Sequence, residues 1–270
     1  VKRDAGRSTS AVLSELLPTL IGTLPFPKTM RWNDSGLRFA RPLRWMVALY
    51  GKTVVKCTVG GVTAGAVTYG HRFLGGTKKG GFASLPVRDE ASYRKALDTH
   101  GVTVDPAQRR ALIDAHVALH AKALHGQAHR DEALIDQAVF SVECPHTIVG
   151  TLNPQYIALP TDIIVTAMKE HQGFFSVHNA DGSLLPNFLA VTNMRLSNMN
   201  LIRAGNERVL AARLADAKFY FEEDRKVSMA ARAEQLHQVV FHQKLGTLEQ
   251  KRYRTVHLAE ILLNALSVDP

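Results

Sequence analysis

The chain has 270 residues, of which 46% are apolar, 7% are aromatic and 21% are charged, and it contains 2 cysteines. This composition excludes disordered, fibrous and disulfide-dense proteins, and no apolar run approaches the roughly 18 residues that a membrane span needs. The formal net charge of +9 lies entirely in the first half of the chain, where 20 Lys and Arg stand against 10 Asp and Glu. We therefore expect a globular, cytoplasmic protein with one strongly basic region.

The positive charge is concentrated in residues 28–79, which we call the basic stretch. It contains one acid, Asp34, and ten basic residues: Lys28, Arg31, Arg38, Arg41, Arg44, Lys52, Lys56, Arg72, Lys78 and Lys79. Clustered Lys and Arg favour a polyanion because they displace the counterions of a phosphate backbone. The basic stretch therefore predicts a nucleic-acid surface. The alternatives are a face that only solubilises the chain and a face that meets an acidic partner subunit.

The first ninety residues combine one helix with short strands. An apolar stripe predicts a helix over Ala11–Leu17, and Pro25 and Pro27 predict an irregular loop after it. Segments rich in Val, Thr and Tyr and bounded by glycines predict a β-meander that carries the basic stretch. Its strands are predicted at Leu43–Leu49, Thr53–Val59 and Gly65–Tyr69.

The rest of the chain changes from mixed to helical near residue 200. Helices are predicted at Glu90–Thr99, Pro106–Leu124, Asp131–Glu143 and Asp162–Glu170, and strands at Val102–Asp105 and Thr147–Leu152. A hairpin is predicted from Phe174–His178 and Phe188–Val191, followed by helices at Asn206–Phe221, Ser228–Val240 and Thr247–Leu266. The predicted fold class is α+β, with a mixed body at residues 1–200, including a basic sheet region at 25–80, and a helical segment at 201–270.

Familiar catalytic signatures are missing from the sequence. There is no G-x-x-x-x-G-K-[ST] loop to cradle phosphates, no G-x-G-x-x-G fingerprint, no H-E-x-x-H helix and no nucleophile elbow. A complete ATP-using or hydrolytic site is therefore not expected, and no residue is predicted to be catalytic.

Histidines at 116, 120, 125 and 129 resemble a metal-ligand cluster. On one continuous helix, however, the second pair lies about 180° from the first, so the four cannot share one ion. His116 and His120 alone have zinc-compatible spacing, but no third ligand accompanies them. We predict no metal site and interpret these histidines as residues of solvated helix faces.

Four carboxylates between residues 216 and 224 could suggest a pair for general acid–base catalysis. It alternates at helical spacing with cations, which is typical of an ion-paired exposed face. The residues concerned are Asp216, Glu222, Glu223 and Asp224, with Arg213, Lys218, Arg225 and Lys226.

Several longer strings are more specific than any of these patterns. They are Leu24–Trp32, Phe39–Trp45, Gly70–Leu74, Leu159-Pro160 with Met168–Phe175, Gly205–Ala217 and Phe241–Thr247. In order and spacing, these strings resemble the beta subunit of the bacterial heterotetrameric glycyl-tRNA synthetase over almost the whole chain. The resemblance suggests a central fragment of such a subunit.

The resemblance implies a ligase subunit that does not itself activate glycine. In that family the alpha subunit carries the ATP and glycine site, and beta is required for tRNA binding and for aminoacylation. The implied partners are the alpha subunit and tRNA(Gly), with no membrane. No cofactor is implied in this chain, since ATP and Mg are used by the alpha subunit.

The resemblance also implies an HD-like helical domain that begins in the C-terminal segment, with an anticodon-binding domain beyond it. His242 matches the opening histidine of the HD-like part. An HD metal cage needs a His-Asp pair, and no His-Asp dipeptide occurs in this sequence. We therefore expect no complete HD metal centre here, and an HD-type hydrolase is the least favoured function.

The candidate tRNA-binding residues are cations that stand inside the matched strings. They are Lys28, Arg31, Arg41, Arg44, Arg72 and Arg208. Trp45 and Tyr69 could stack on a base, although the apolar run around Trp45 favours a core position for it. Arg208 and Arg213 diverge by about 140° around their helix, so one phosphate-binding face does not hold both. The alternative function is a scaffold whose basic region docks the alpha subunit instead of tRNA.

Overall fold

The computed structural model of the chain describes residues 6–75 and 81–266. Lys78 and Lys79 of the basic stretch lie outside the described residues. The N-terminal unit starts with helix α1, followed by an irregular segment and three antiparallel two-stranded ribbons. Its elements are α1 (Thr9–Gly22), β1 (Leu49–Tyr50), β2 (Thr53–Val54), β3 (Thr58–Val59), β4 (Val62–Thr63), β5 (Val67–Tyr69) and β6 (Ser84–Pro86).

The strands of the N-terminal unit are shorter than the predicted meander. Leu43–Leu49 contributes only the end of a strand and a single bridge from Val47 to Gly65, and Thr53–Val59 divides into β2 and β3. Gly51 and Gly60 both have a φ of 58°, a left-handed conformation that makes the turns between β1 and β2 and between β3 and β4. The region is therefore a set of tight ribbons instead of one continuous sheet.

The central part of the chain follows the predicted order closely. It contains α2 (Glu90–Thr99), α3 (Pro106–Ala123), β7 (Gln127–Ala128), α4 (Glu132–Ser141), β8 (His146–Thr151), α5 (Thr161–Thr166), β9 (Phe174–His178) and β10 (Leu184–Thr192). Helix α5 runs directly into a π-helical turn at Ala167–Gln172, which ends at Gly173 in the left-handed conformation. The predicted helices and the β9–β10 hairpin are confirmed.

The predicted strand Val102–Asp105 is wrong. The N–H of Val102 donates to Leu97 O at the end of α2, and the N–H of Thr103 donates to Glu143 O. The Asp105 side chain then caps α3 by accepting the N–H of Ala107 at 2.8 Å. The backbone groups of this segment therefore bond to the end of α2, to Glu143 and to the start of α3, and they form no ladder with another strand.

A four-stranded antiparallel sheet in the order β7-β9-β10-β8 forms the centre of the molecule. Alternate residues of its strands face opposite sides, because side chains in a strand alternate. Phe174 and Phe188 lie in one core cluster with Met168, whereas Phe175 and Leu189 lie in a second cluster with helices α3 and α4. The sheet is therefore the middle layer of three.

The C-terminal part begins with a long helix that belongs to this packing. Its elements are α6 (Asn200–Lys226), α7 (Met229–Glu234), β11 (Val240–His242), β12 (Gly246–Thr247) and α8 (Leu248–Leu266). Leu210 and Leu214 of α6 are buried in the same cluster as Phe174 and Phe188. The predicted helix Ser228–Val240 is shorter than expected, and β11 and β12 form a small hairpin in a segment otherwise helical. The α+β class is confirmed.

Across residues 6–75 and 81–266, no helix combines the length and the apolarity needed to cross a bilayer.

Candidate nucleic-acid interface

The loop that carries Lys28 and Arg31 is fixed by contacts within itself. Phe26 packs edge-on against Phe39 with 4.7 Å between ring centroids, and Met30 forms a two-way backbone bridge with Phe39. The side chain of Asn33 donates to Gly60 O at 2.8 Å, which attaches the loop to the β3–β4 turn. Lys28 and Arg31 are exposed on this ordered loop.

Arg41 and Arg44 are exposed on the segment that leads into β1. The Arg44 guanidinium carbon lies 5.8 Å from the centroid of Phe82. Trp45 packs against Tyr69 at 4.7 Å and Phe82 at 5.5 Å between ring centroids. An aromatic cluster with an arginine beside it therefore lies at the surface.

The expectation that Trp45 is a core residue is wrong, because 36% of Trp45 is exposed. Its segment is not an inner strand of a sheet, and Tyr69 and Phe82 cover only part of the indole. The position leaves part of the ring available to a planar ligand.

Arg72 follows the buried residue His71 in the turn after β5 and is itself exposed. We call Lys28, Arg31, Arg41, Arg44 and Arg72 the basic surface. None of these five cations has a carboxylate within 4.0 Å in the part of the chain that the structure describes.

Several cations outside the basic stretch are ion-paired. Arg94 bonds Glu90 at 2.9 Å and Arg110 bonds Glu132 at 2.8 Å. On the face around residues 213–226 the predicted ion pairing is confirmed for Lys218 with Glu222 and for Lys226 with Glu223, whereas Arg213 and Arg225 have no carboxylate within 4.0 Å among the described residues. The basic surface thus retains a charge that internal pairs do not neutralise, which is the condition for binding an external anion.

Arg208 lies on α6, a helix that packs against β8 and the π-helical turn. It is exposed and lines a groove with Asn153 and Pro154, beside Glu207, which accepts the N–H of Thr151 at 2.9 Å. Arg213 lines another groove, against α5, with Asp162 and other residues. The predicted divergence of the two arginines around the helix is confirmed, and no contact described above connects Arg208 with the basic surface.

Of the four histidines predicted to lie on solvated helix faces, His125 and His129 are exposed, and His116 and His120 are partly buried. His116 is partly buried with its ring centroid 5.9 Å from that of His146, a partner that sequence reasoning missed. Burial lowers the pKa of both imidazoles, and nearby cationic groups lower it further. His125 lies past the end of α3 with a φ of 57°. Among the described residues no group of three or more His, Cys, Asp or Glu has a geometry suited to a metal ion.

Two aromatic residues of the candidate interface were not singled out from the sequence. Phe82 follows a pair of glycines, and Phe73 stands in the Gly70–Leu74 string. A phenylalanine in a short loop gives no local signal of whether it is buried, because its exposure depends on distant contacts. From the sequence, only the clustering of cations along the chain indicated where a candidate interface would lie.

The sequence model of the family described as "Glycyl-tRNA synthetase beta subunit" matches residues 1–269. The glycine–tRNA ligase beta subunit of Citrifermentans bemidjiense is 42% identical over 99% of this chain, and that of Geotalea daltonii is 41% identical over 98%. The beta subunit of Moorella thermoacetica is 40% identical over 99% of this chain. The chain spans 38% of the length of each of these curated relatives. It belongs to the glycyl-tRNA synthetase beta subunit family.

Proposed function

We propose that the chain is a tRNA-binding, non-activating part of glycine–tRNA ligase, which attaches glycine to tRNA(Gly) at the expense of ATP. The observation that carries the proposal is the basic surface, whose five exposed cations lack internal carboxylate partners in the described structure. Arg208 is proposed as a further contact on α6. No catalytic residue is assigned to this chain.

The proposed role is positioning. Contacts to phosphates fix the register and orientation of a nucleic acid without reading its sequence. A tRNA held in this way would present its 3′ end to an adenylate-forming site, which we place on the partner alpha subunit together with ATP and Mg. Bringing the reactants together in a fixed geometry removes the entropic cost of their encounter.

Two further points belong to this proposal. We propose that residues 1–200 act as the tRNA-handling body and that residues 201–270 begin a separate helical, HD-like domain, although α6 packs on the central sheet. We also propose a cytoplasmic location, which the two free cysteines, Cys57 and Cys144, support.

The test is a salt titration of tRNA binding by the enzyme assembled from alpha and beta subunits. Reversing Arg41 and Arg44 to Glu should weaken tRNA binding about tenfold or more, and should reduce the slope of log affinity against log salt by about two. The control reverses Arg94 and Arg254 to Glu, an equal change of charge outside the basic stretch, and should leave the slope near that of the unchanged enzyme.

Two outcomes would contradict the proposal. In one, log affinity for tRNA barely changes with log salt. In the other, the Arg41→Glu/Arg44→Glu enzyme binds tRNA as well as the control does.

The second candidate function is a docking scaffold for the alpha subunit. The observation that favours it is the exposed aromatic surface at Trp45, since aromatic and arginine side chains are enriched in the cores of protein interfaces. It predicts that the Arg41→Glu/Arg44→Glu subunit no longer co-purifies with alpha, whereas tRNA binding by any assembled enzyme is unchanged.

A further inference from the structure

The turn Gly70–Gly75, which we call the tip turn, is held in one conformation by its backbone. The N–H of Gly70 donates to Ala83 O at 3.2 Å, that of His71 to His100 O at 2.9 Å, and that of Gly75 to His71 O at 2.9 Å. A Cβ at Gly70 or Gly75 would overlap His100 at the end of α2. The tip turn is therefore held between the residue before β6 and the end of α2.

The His71 side chain fixes the tip turn a second time. Its ring is 1% exposed, and Nδ1 accepts the N–H groups of Phe73 at 3.2 Å and Leu74 at 3.1 Å. Backbone N–H groups only donate, so the ring proton lies on Nε2, which donates to Asn193 O at 2.7 Å. The side chain of Asn193 in turn accepts the N–H groups of Glu143 and Cys144. His71 thus ties the tip turn to the central sheet region.

The two side chains at the end of this rigid turn point away from the body. Phe73 is 65% exposed, and the guanidinium carbon of Arg72 lies 5.6 Å from the centroid of its ring. The turn therefore presents an exposed aromatic ring with the Arg72 guanidinium over it, from a backbone with little freedom, and no carboxylate lies within 4.0 Å of Arg72 among the described residues.

We propose that Phe73 is a stacking platform for one unpaired base of the bound tRNA, that Arg72 binds the adjacent phosphate, and that His71 is the positioning residue for both. This inference rests on the proposed function and deepens it. The cations of the basic surface could bind the phosphates of single-stranded or duplex RNA, whereas the tip turn would bind an unpaired nucleotide.

The chemistry of the pair fits an unpaired nucleotide. Every base has a π-face, so an aromatic ring binds unpaired bases with little regard to sequence, and a neighbouring arginine satisfies the phosphate. A duplex hides those faces in its own stack. Because the tip turn is already ordered, little conformational entropy is lost on binding.

Charge favours RNA over a protein as the occupant. The only acid in the basic stretch is Asp34, and Arg72 itself has no carboxylate within 4.0 Å among the described residues, although the Glu143 carboxylate lies 4.0 Å from Nε2 of the neighbouring His71. A protein that covered Phe73 would have to bring its own carboxylates to Arg72. A polynucleotide supplies one phosphate beside every base.

The first experiment measures tRNA affinity of the assembled enzyme at several salt concentrations. Phe73→Leu keeps apolar bulk but removes the aromatic ring, and it should lower affinity about tenfold with the salt slope unchanged, because stacking releases no counterions. Phe73→Trp should retain the affinity. Arg72→Gln should lower the slope by about one. Phe219→Leu, at another exposed phenylalanine on α6, is the matched control and should change nothing.

The second experiment uses the Phe73→Trp enzyme as a fluorescent reporter. Relative to the unchanged enzyme, its additional tryptophan emission should be quenched by tRNA and by a single-stranded oligoribonucleotide, but not by a blunt RNA duplex. Adding His71→Ala should abolish the quenching. His71→Asn, whose Oδ1 can take the place of Nδ1 as acceptor for the turn, should restore much of it. A merely structural role for His71 would not distinguish the two variants in this way.

The outcomes separate this inference from the proposed function. If Phe73→Leu leaves tRNA affinity unchanged while Arg41→Glu/Arg44→Glu lowers it, the stacking platform is wrong and the proposed function stands. If Phe73→Leu impairs capture of the alpha subunit and not of tRNA, the tip turn is a protein contact and the inference is overturned. If no variant alters the salt dependence, the proposed function fails as well.

Discussion

At the scale of single residues, Asp131 shows how one carboxylate serves two elements. Its side chain caps α4 by accepting the N–H of Leu134 at 3.0 Å. It also pairs with Lys169 on the π-helical turn, with 2.6 Å between Nζ and Oδ2. The Lys169 ammonium lowers the pKa of Asp131, and the bond from Leu134 lowers it further. Asp131 thus connects α4 with the turn that leads into β9.

The two roles of Asp131 can be separated by substitution. Asp131→Asn retains a capping side chain but loses the charge, and should lower the free energy of unfolding by up to about 1 kcal/mol at neutral pH. Asp131→Ala loses the cap as well and should cost about 1 kcal/mol more. Denaturant unfolding of the unchanged chain and both variants measures these differences.

The sign of the pH dependence follows from the lowered pKa of Asp131. The stabilisation is fully present above the ordinary carboxyl pKa of about 3.9 and is lost as pH falls through the lower value of the folded state. The stability gap between the unchanged chain and Asp131→Asn should therefore close on acidification. A gap that is the same at neutral and at acidic pH would show that the charge contributes nothing.

Three predicted helices begin where a capping aspartate stands, and capping is a local interaction. Asp89, Asp105 and Asp131 each accept a backbone N–H of the helix that follows, and the predicted helices start within one residue of the observed ones. The burial of a single aromatic side chain, in contrast, could not be predicted from the local sequence. Trp45 stands in an apolar run yet lies at the surface. The segment after it is not part of a continuous sheet, since Val47 forms only an isolated bridge with Gly65.

At the scale of elements, the pairing of β8 with β10 depends on a glycine. Gly150 lies opposite Phe188, and a Cβ at Gly150 would overlap the Phe188 ring. That ring stacks on Phe174 with 4.6 Å between centroids and has no exposed surface. The absence of a side chain at Gly150 therefore makes room for the stacked pair in the core.

Gly150→Ala should destabilise the fold by about 1–3 kcal/mol or more, because the added methyl group forces the packed ring out of place. Gly205→Ala is the matched control. Gly205 lies within α6 with open space around its Cα, so an alanine there should stabilise the chain by about 0.5–1 kcal/mol. Thermal and denaturant unfolding report both changes. Equal effects of the two substitutions would refute the close approach at Gly150.

The longer elements of the central body were predictable because residues typical of helix starts, strands and turns mark their positions. The β9–β10 hairpin and helices α2 to α4 lie where the sequence pattern predicts them. Strands of only two residues could not be predicted from sequence pattern. Strands β7 and β12 are too short to show a period, and their pairing with β9 and β11 is set by tertiary contacts.

At the scale of the whole molecule, the N-terminal unit meets the three-layer body where His71 binds Asn193. The bond joins residues 122 positions apart in the chain. We expect His71→Ala to release the tip turn and the end of α2 without opening the central sheet, because Phe175 and Phe188 belong to clusters that do not include His71.

Amide hydrogen exchange measures this effect segment by segment. In His71→Ala, the amides of residues 70–75 and 100–103 should exchange at least about tenfold faster, whereas those of β9 and β10 should be unaffected. His257→Ala, an exposed histidine on α8, serves as the control. Equal acceleration in β9 and β10 would mean that the bond supports the entire fold.

The candidate site was predictable in part. The charge asymmetry and the matched strings identified the family and five cations that prove to be exposed in the N-terminal unit. The aromatic partners Phe73 and Phe82 and the location of Arg208 on a separate helix depend on how distant segments pack. Local pattern carries no information on such contacts, and their role in tRNA binding stays a prediction.

The edges of the central sheet have a consequence for how further chains can attach. One edge is β7, which is two residues long, and at the other the outward N–H of Thr151 is already bonded to Glu207. A neighbouring strand could pair with only two residues at β7, and at the end of β8 it would have to displace Glu207 from Thr151. Growth of the sheet from molecule to molecule, which leads to fibrous aggregates, is opposed at these two places.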